Sequence, residues 1–242
     1  MTAGPSDDAA YWDEKFRRGG HIWGDEPGEL ATLALDRLRT LRADPATLTL
    51  LDLGCGYGRD SVVLWRALGL SIVAVDGAAR AIEMARAARP RGARIDYRCA
   101  DLAELTRDRP RVGSRQADGE PLGGSSGRFD AVFCANLWQV LRPAGRATLA
   151  AVVRDRLASG GLLLLNALST RDPQHAGRGR PVPGDPGSCV EGHYLHLSGR
   201  DELAAAFAFL EIERLDELAY TEERPGGAPH HHVSWVLVAR AR

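Results

Sequence analysis

An apolar run that ends in an acidic residue and is followed by three closely spaced glycines most constrains the fold of this chain. The segment is residues 48–60, Leu-Thr-Leu-Leu-Asp-Leu-Gly-Cys-Gly-Tyr-Gly-Arg-Asp. It predicts a strand, a tight turn and the start of a helix, an arrangement in which the backbone can approach a ligand closely. The spacing is Gly-x-Gly-x-Gly, which differs from the Gly-x-Gly-x-x-Gly of dinucleotide-binding proteins.

A second apolar run, residues 70–75, ends in another acidic residue, Asp76. The carboxylates of Asp52 and Asp76 are therefore expected at the ends of two strands. A carboxylate at the second strand end can accept hydrogen bonds from both hydroxyls of a ribose. Asp76 can also cap the helix that follows it, and the two roles are compatible.

Strands and helices alternate along the rest of the chain. Strands are predicted at 48–53, 71–76, 94–99, 129–135 and 161–167, helices at 58–68, 79–88, 146–158 and 200–208, and a closing hairpin from strands 209–219 and 232–240. This order predicts an α/β fold with a Rossmann-like, seven-stranded, mostly parallel sheet, helices on both faces and a C-terminal antiparallel hairpin. Ligands of such sheets bind at the carboxyl ends of the strands.

Three stretches lie outside this alternation. Residues 1–45 are expected to form a helical lid segment, and residues 46–242 to form the main domain. Residues 106–128 are rich in glycine and arginine and poor in apolar side chains, so they are expected to be a flexible insertion. The Pro- and Gly-rich loop 171–192 is expected to cover a site, because His193–His196 follow it directly.

Composition argues against several classes of protein. The formal net charge of −1 offers no basic surface for nucleic acid, and no apolar run is long enough to cross a membrane. The N-terminus lacks the features of a secretion signal. The four cysteines, Cys55, Cys99, Cys134 and Cys189, show no Cys-x-x-Cys spacing and are expected to be free thiols in the core. We therefore expect a soluble, cytoplasmic monomer or homodimer without a nucleic-acid or membrane partner.

Five motifs in a fixed order give the chain a family resemblance. They are Asp-Leu-Gly-Cys-Gly-Tyr-Gly-Arg-Asp at 52–60, Val-Asp-Gly at 75–77, Ala-Asp-Leu at 100–102, Phe-Asp-Ala-Val-Phe at 129–133 and Ser-Gly-Gly-Leu-Leu-Leu-Leu at 159–165. Together they resemble the class I S-adenosylmethionine-dependent methyltransferases, over residues 46–242. The Gly-Tyr-Gly-Arg-Asp-Ser segment at 56–61 is similar to the tellurite-resistance and thiopurine methyltransferase-like group. Many tellurite-type members carry a His-Arg pair where this chain has Tyr-Thr-Glu-Glu-Arg at 220–224, which argues against tellurite as the substrate.

The resemblance implies which residues bind S-adenosylmethionine. They are Asp52, Gly54 and Gly56 at the methionine moiety, Asp76 and Gly77 at the ribose, Asp101 and Leu102 at the adenine, and Asn136 and Leu137 at the sulfonium. In this class the N-terminal segment folds over the cofactor, so Trp12 and Trp23 are candidates for an aromatic lid with a cation–π attraction. Packing in an ordinary core is the alternative for both tryptophans.

Which acceptor the site can methylate depends on whether one of its histidines can act as a base. A thiolate or an oxyanion needs little beyond positioning, whereas a hydroxyl or an amine needs a base, for which histidine has a suitable pKa. The catalytic candidates are His193, His231 and His232, with Asn136 beside the sulfonium. Consecutive strand residues point to opposite faces, so at most two histidines of 230–232 converge, and no metal site is predicted. Surface or hairpin packing is the alternative role for these histidines.

These observations predict methyl transfer from S-adenosylmethionine to a small-molecule acceptor, either a thiol, a metalloid or the hydroxyl or amine of a natural product. The alternative is a non-catalytic S-adenosylmethionine-binding protein that acts as a sensor or scaffold. A cavity with convergent polar groups on the acceptor side would favour the enzyme. A nucleic-acid methyltransferase is disfavoured, because Ala-Asn-Leu-Trp at 135–138 stands where such enzymes carry an Asn-Pro-Pro-Tyr-type tetrapeptide.

Overall fold

The computed structural model describes residues 7–107, 127–222 and 227–242, and it contains the predicted helices and strands with bounds that shift by a few residues. The helices are α1 (Asp7–Gly19), α2 (Glu29–Arg39), α3 (Arg59–Leu68), α4 (Ala79–Ala88), α5 (Leu102–Arg107), α6 (Pro143–Arg156) and α7 (Arg200–Ala206). The strands are β1 (Thr49–Leu53), β2 (Ser71–Asp76), β3 (Ile95–Cys99), β4 (Phe129–Cys134), β5 (Leu157–Leu168), β6 (Arg180–Pro181), β7 (Ser188–Glu191), β8 (His193–His196), β9 (Glu211–Glu222) and β10 (His230–Arg240).

Seven strands form one sheet in the order β3-β2-β1-β4-β5-β10-β9. The first five strands pair in parallel, and β10 is antiparallel to both β5 and β9. The predicted seven-stranded, mostly parallel sheet with a C-terminal antiparallel hairpin is therefore confirmed. Strands β2 and β3 lie on one side of β1 in the sheet, and β4 lies on the other side, so the strand order reverses at β1. The carboxyl ends of β1, β2 and β4 consequently border a crevice.

Alternate residues of the central strands enter two different cores. Leu50 packs in a core that includes residues of α2, α3 and α4, whereas Leu51 packs in a core that includes residues of α6 and α7. The expectation of helices on both faces is confirmed by this division. Helix α2 buries one side in the first core, where Leu38 is fully buried. Residues 29–39 thus pack with the main domain, and within 1–45 only α1 and the segment up to residue 28 remain candidates for the lid.

The segment predicted as the loop 171–192 contains strands. It includes β6 and β7, which form a small antiparallel sheet with β8. The pairing of β7 with β8 runs from Ser188 opposite His196 to Glu191 opposite His193. Because β6 has only two residues and the strands carry few apolar side chains, the sequence pattern did not predict this sheet.

Other sequence expectations concern single segments and side chains. Most of the predicted insertion 106–128 lies outside the described residues. All four cysteines are free thiols; Cys134 and Cys189 are buried, Cys55 is partly buried and Cys99 is exposed, so that last thiol is not in the core. Within the described ranges, no helix has the length and apolar character needed to cross a membrane.

Candidate active site

The glycine turn after β1 lies at the carboxyl edge of the large sheet. The backbone N–H of Gly54 donates to Val75 O at 2.8 Å, which ties the turn to the end of β2. Gly54 has a φ of 75°, in the left-handed region that favours glycine. A Cβ atom at Gly54 would lie 3.0 Å from the Cβ of Leu137. The glycine therefore allows β1, β2 and the segment after β4 to approach one another closely.

Asp76 connects this turn to the start of α4. Its Oδ2 accepts a hydrogen bond from the N–H of Gly56 at 2.9 Å, and its Oδ1 accepts one from the N–H of Ala78 at 2.8 Å. Burial raises the pKa of Asp76, and the two amide bonds oppose that rise. Since each oxygen has one backbone donor, each retains capacity to accept a hydroxyl hydrogen bond.

Asp52 is a buried carboxyl group at the end of β1. It is 2% exposed, and it accepts a hydrogen bond from Ser61 Oγ. Burial raises the pKa of Asp52 to about 7; the hydrogen bond from Ser61 opposes the rise, and the negative charges of Asp60 and Asp76 add to it. A cationic group placed next to Asp52 would replace the lost hydration and favour the ionised carboxylate.

Two adjoining cavities open at this edge of the sheet. One contains the glycine turn and the buried carboxyl group of Asp52, and the other is mostly apolar with Asp101 among its polar lining residues. Both are lined by Trp12, Gly54, Asp76, Leu137 and Val140. This division suits a ligand with an ammonium group at one end, a ribose in the middle and a flat base at the other end, as in S-adenosylmethionine.

The structure places every predicted cofactor-binding residue in one or both of these cavities. The first is lined by Trp12, Trp23, Asp52, Gly54, Gly56, Asp76, Asn136 and Leu137, and the second by Gly77, Asp101 and Leu102 together with residues that it shares with the first.

The segment after α1 covers the first cavity and is fastened to the glycine turn. The hydroxyl of Tyr57 donates to Gly24 O at 2.6 Å, and Arg59 donates to Trp23 O at 2.9 Å. The rings of Trp12 and Trp23 lie 5.7 Å apart. The polar residues of the Gly-Tyr-Gly-Arg-Asp segment therefore hold an aromatic cover in place, a role that the sequence did not reveal.

Asn136 lines both the first cavity and a third cavity. Its φ of 55° is the only positive value for a non-glycine residue in the described part of the chain. Its N–H donates to Asn166 Oδ1 at 2.7 Å, and its Oδ1 accepts from Asn166 Nδ2 at 3.0 Å and from Gln139 Nε2 at 3.1 Å. Backbone strain that side chains maintain in this way is common at functional sites.

The sequence predicted neither partner of Asn136. Asn166 had a signal, since it is the only polar residue in the apolar run 162–168. Gln139 carried no sequence signal, because it lies in a short 3₁₀ turn whose position depends on the packing around it.

The third cavity is lined by four of the seven histidines, His175, His193, His230 and His232. Its other polar lining residues are Lys15, Asn136, Gln139, Tyr220 and Glu222. Gln139 Oε1 is buried and has no hydrogen-bond partner among the described residues. Because an unsatisfied buried acceptor is costly, this oxygen is poised to accept a hydrogen bond from a bound molecule.

His193 faces this cavity from the start of β8 and contacts α1. Its ring stacks on Tyr11 with the centroids 5.0 Å apart, and it meets Trp12 edge-on at 5.3 Å. Burial, followed by the positive charge of Lys15, lowers the pKa of His193 to about 4. The imidazole is therefore neutral near pH 7 and can accept a proton.

The histidine run of β10 divides between two faces, as the alternation of a strand requires. His230 and His232 line the third cavity. His231 is exposed, and its Nδ1 lies 3.0 Å from Thr221 Oγ1. Of the predicted catalytic candidates, the structure brings His193, His232 and Asn136 to the cavity and places His231 on the opposite face.

His232 is held between two carboxylates. Its Nδ1 lies 3.0 Å from Asp172 Oδ2, and its Nε2 lies 3.8 Å from Glu222 Oε2. Burial alone would lower the pKa of His232, but the hydrogen bonds and charges of Asp172 and Glu222 outweigh it and raise the pKa to about 9. Asp172 and Glu222 carried no sequence signal, because they enter the site from a loop and from the neighbouring strand.

Comparisons with known proteins agree with this fold. Residues 50–161 match a family model described as a methyltransferase domain. No curated protein matches the chain in sequence.

Three solved structures are similar to almost the whole chain. One is a protein from work on the conversion of a disulfide bond into a thioacetal group during echinomycin biosynthesis. It shares 22% identity over 96% of this chain and 91% of its own, with a TM-score of 0.68. TehB from Haemophilus influenzae shares 15% identity over 97% of this chain and 67% of its own, with a TM-score of 0.61. The magnesium protoporphyrin IX methyltransferase ChlM from Synechocystis, solved with bound S-adenosylmethionine, shares 16% identity over 100% of both chains, with a TM-score of 0.58.

The sheet order, the glycine turn and the two acidic strand ends define the class I methyltransferase fold. Residues 50–161 carry a methyltransferase domain, and the chain has the fold of solved S-adenosylmethionine-dependent methyltransferases. When bound, S-adenosylmethionine supplies a methyl group on a positively charged sulfur.

Proposed function

We propose that the chain methylates a small-molecule thiol, or a similarly acidic nucleophile, that binds in the histidine-lined cavity. The observation that carries this proposal is that this cavity adjoins the first cofactor cavity, since Trp12, Trp23 and Asn136 line both. A donor on one side of Asn136 and an acceptor on the other would be held close together, and methyl transfer depends mainly on such positioning. A non-catalytic sensor or scaffold would not need this second polar cavity.

The cofactor roles of the lining residues are part of the proposal. Asp52 would pair with the ammonium group of the methionine moiety, because its buried carboxyl group favours a cationic partner. Asp76 would accept the ribose hydroxyls with the remaining lone pairs of its two oxygens. Asp101 and Leu102 would bound the adenine, and the segment that carries Trp12 would act as the lid.

The properties of His193 favour a thiol over an aliphatic alcohol. A histidine with a pKa of about 4 has the correct protonation state for a general base but is a weak one. A thiol, with a pKa of about 8.5, gives up its proton far more easily than an alcohol and is an intrinsically strong nucleophile. The similarity to a protein of echinomycin biosynthesis that acts in sulfur chemistry supports the same class of acceptor. Because Gln139 Oε1 is a buried acceptor that lacks a partner among the described residues, we also expect the acceptor to carry a hydrogen-bond donor.

The test is a turnover screen that measures release of S-adenosylhomocysteine with thiols, phenols, amines, selenite and tellurite. We expect turnover with thiols. His193→Ala should lower kcat about 100-fold. His231→Ala is the matched control, because His231 lies on the opposite face of β10, and it should leave kcat and KM unchanged.

Two results would contradict the proposal. Binding of S-adenosylhomocysteine without turnover of any acceptor would favour the non-catalytic alternative. Faster turnover of phenols or amines than of thiols would retain the enzyme and exclude the thiol assignment.

A further inference from the structure

We propose that Glu222, His230 and His232 form a binding site for a divalent transition-metal ion, with Zn²⁺ as the expected ion, in the wall of the histidine-lined cavity. The role of the ion rests on the proposed function, because it would bind the sulfur of the acceptor. Binding of the ion does not depend on the proposed function and can be measured without cofactor or acceptor.

The pairing of β9 with β10 brings these three side chains together. His230 lies opposite Glu222 in the antiparallel pair, so their side chains share one face of the sheet. His232 follows two residues later and shares that face. One ligand atom of each residue lies within 4.8 Å of the others, and His232 Nε2 lies 3.8 Å from Glu222 Oε2. Ligands of a tetrahedral zinc ion lie about 2.0–2.2 Å from it, or roughly 3.4 Å apart, so small side-chain shifts would complete the geometry.

Asp172 stands behind His232 as an orienting partner. It is fully buried, and its Oδ1 accepts hydrogen bonds from the N–H groups of Gln174 and His175, both at 3.0 Å. Its Oδ2 accepts from the N–H of Val233 at 2.9 Å and lies 3.0 Å from His232 Nδ1. With four such partners, Asp172 is better suited to fix the ring of His232 than to bind the ion. A carboxylate on one nitrogen of a histidine whose other nitrogen binds metal is the usual arrangement in zinc sites.

Two histidines and one glutamate are a ligand set found in catalytic zinc sites, which keep one position open. Here the open position would face the cavity that Asn136 and Trp23 share with the cofactor. An acceptor thiol would bind there as a thiolate, since coordination to zinc removes the thiol proton, and the neutral His193 in the same cavity could pass that proton on to solvent. The sequence predicted no metal site, because at most two of residues 230–232 share a face and no Cys-His spacing supports zinc. Glu222 and Asp172 come from elsewhere in the chain.

The experiment is a zinc titration of the metal-free protein in competition with a chromogenic chelator. We expect one zinc ion per chain with a Kd of about 1 μM or lower. His230→Ala and Glu222→Gln should each weaken binding at least about tenfold, and Asp172→Asn should weaken it about 10–100-fold. His231→Ala should bind zinc like the wild type, which separates this site from the general metal affinity of a histidine run.

Binding of S-adenosylhomocysteine checks the fold of every variant, because no proposed metal ligand lines the two cofactor cavities. The proposal is overturned if the wild type binds no stoichiometric zinc, or if His231→Ala weakens binding as much as His230→Ala. Thiol turnover by a protein that binds no zinc would overturn the metal site alone. Zinc binding without thiol turnover would support the metal site and contradict the proposed acceptor.

Discussion

At the scale of single residues, buried carboxyl groups dominate the electrostatics of the cofactor site. Asp52 and Asp76 end neighbouring strands, and burial raises the pKa of both. For Asp52 the raised value is about 7, so in the free protein the carboxyl group is largely protonated below neutral pH. A ligand whose ammonium group pairs with the ionised carboxylate must then displace a proton in order to bind.

We therefore expect the affinity for S-adenosylhomocysteine to fall as the pH decreases below about 7. The complex would hold Asp52 ionised, so affinity should fall by up to about tenfold for each pH unit below that value and level off above it. Calorimetry across the range from about pH 5.5 to 8 measures the effect. Asp52→Asn cannot ionise and should give weaker binding with a flat profile. A flat profile in the wild type would place the ammonium group elsewhere.

Removing the Asp76 carboxylate should weaken cofactor binding at least about tenfold. A hydrogen bond to a charged group contributes about 1.5–3 kcal/mol, and Asp76→Ala would remove two proposed ribose contacts. The comparison variant is Asp101→Ala, because Asp101 is exposed and its Oδ1 accepts only the N–H of Ala103, at 2.8 Å, among the described hydrogen bonds. Calorimetry with S-adenosylhomocysteine should show a smaller loss for that variant. An affinity unchanged by Asp76→Ala would exclude Asp76 from the ribose site.

The acidic residues and glycines of the cofactor site were predictable because each belongs to a short local pattern at a strand end. Gln139, Asp172 and His175 were not predictable, because each lies in a turn or loop that tertiary contacts position. His230 illustrates an intermediate case. The alternation of a strand required one or two histidines of the run to face the cavity, but it could not determine which face of β10 was buried.

At the scale of secondary-structure elements, a buried polar network joins α6 to the small sheet of β6, β7 and β8. Arg146 donates to Tyr194 Oη at 2.7 Å and to Asp185 Oδ1 at 2.8 Å, and the Tyr194 hydroxyl donates to Asp185 Oδ2 at 2.5 Å. Burial alone would raise the pKa of Asp185, but hydrogen bonds from Tyr194, Ser188 and Arg146 outweigh it and lower the pKa. These contacts explain how a segment with the composition of a loop forms an ordered sheet.

Breaking this network should destabilise the protein substantially. Arg146→Met keeps much of the side-chain volume but leaves the Asp185 carboxylate without its cation. Loss of one partner from a buried ion pair costs about 3 kcal/mol or more, which corresponds to a decrease in Tm of roughly 6–12 °C for a chain of this size. Arg17→Ala is the control, since the Arg17 side chain is 58% exposed in its ion pairs and its loss should cost less than about 1 kcal/mol. Similar Tm values for the two variants would contradict this role for Arg146.

The strands of the large sheet and most helices were predictable because their apolar residues are numerous and recur at the regular spacing of a strand or a helix. The sheet of β6, β7 and β8 was not, because its strands are short and its order depends on Arg146, which lies in a helix about 40 residues earlier in the chain than Asp185.

At the scale of the whole molecule, the cavities lie beneath a cover built from two parts of the chain that are far apart in sequence. Helix α1 provides Tyr11 and Trp12, which contact His193 at the start of β8. The sequence indicated each part as a possible cover, but only the three-dimensional structure shows that they contact each other. The proposed lid is therefore fastened on both sides, to the glycine turn through Tyr57 and to the small sheet through His193.

The ends of the predicted insertion are held together by one buried side chain. Arg156 is 6% exposed and donates to Leu105 O at 3.1 and 2.7 Å and to Gly127 O at 3.5 Å. Leu105 directly precedes the predicted insertion 106–128, and Gly127 lies near the end of the insertion. Since a single guanidinium group contacts both ends, a short linker is sufficient to join them.

Replacing residues 108–126 with a short Gly-Ser linker should therefore leave Tm and turnover nearly unchanged. The replaced segment has few apolar residues to bury, and shortening a loop whose ends are already close changes its closure entropy by only about 1 kcal/mol. The measurements are thermal unfolding and release of S-adenosylhomocysteine with the best acceptor from the screen. Arg156→Ala in the full-length chain is the contrasting variant, because it removes the group that holds the two ends and should lower Tm. A large loss of turnover in the linker variant, with Tm retained, would show that residues 108–126 contribute to the acceptor site.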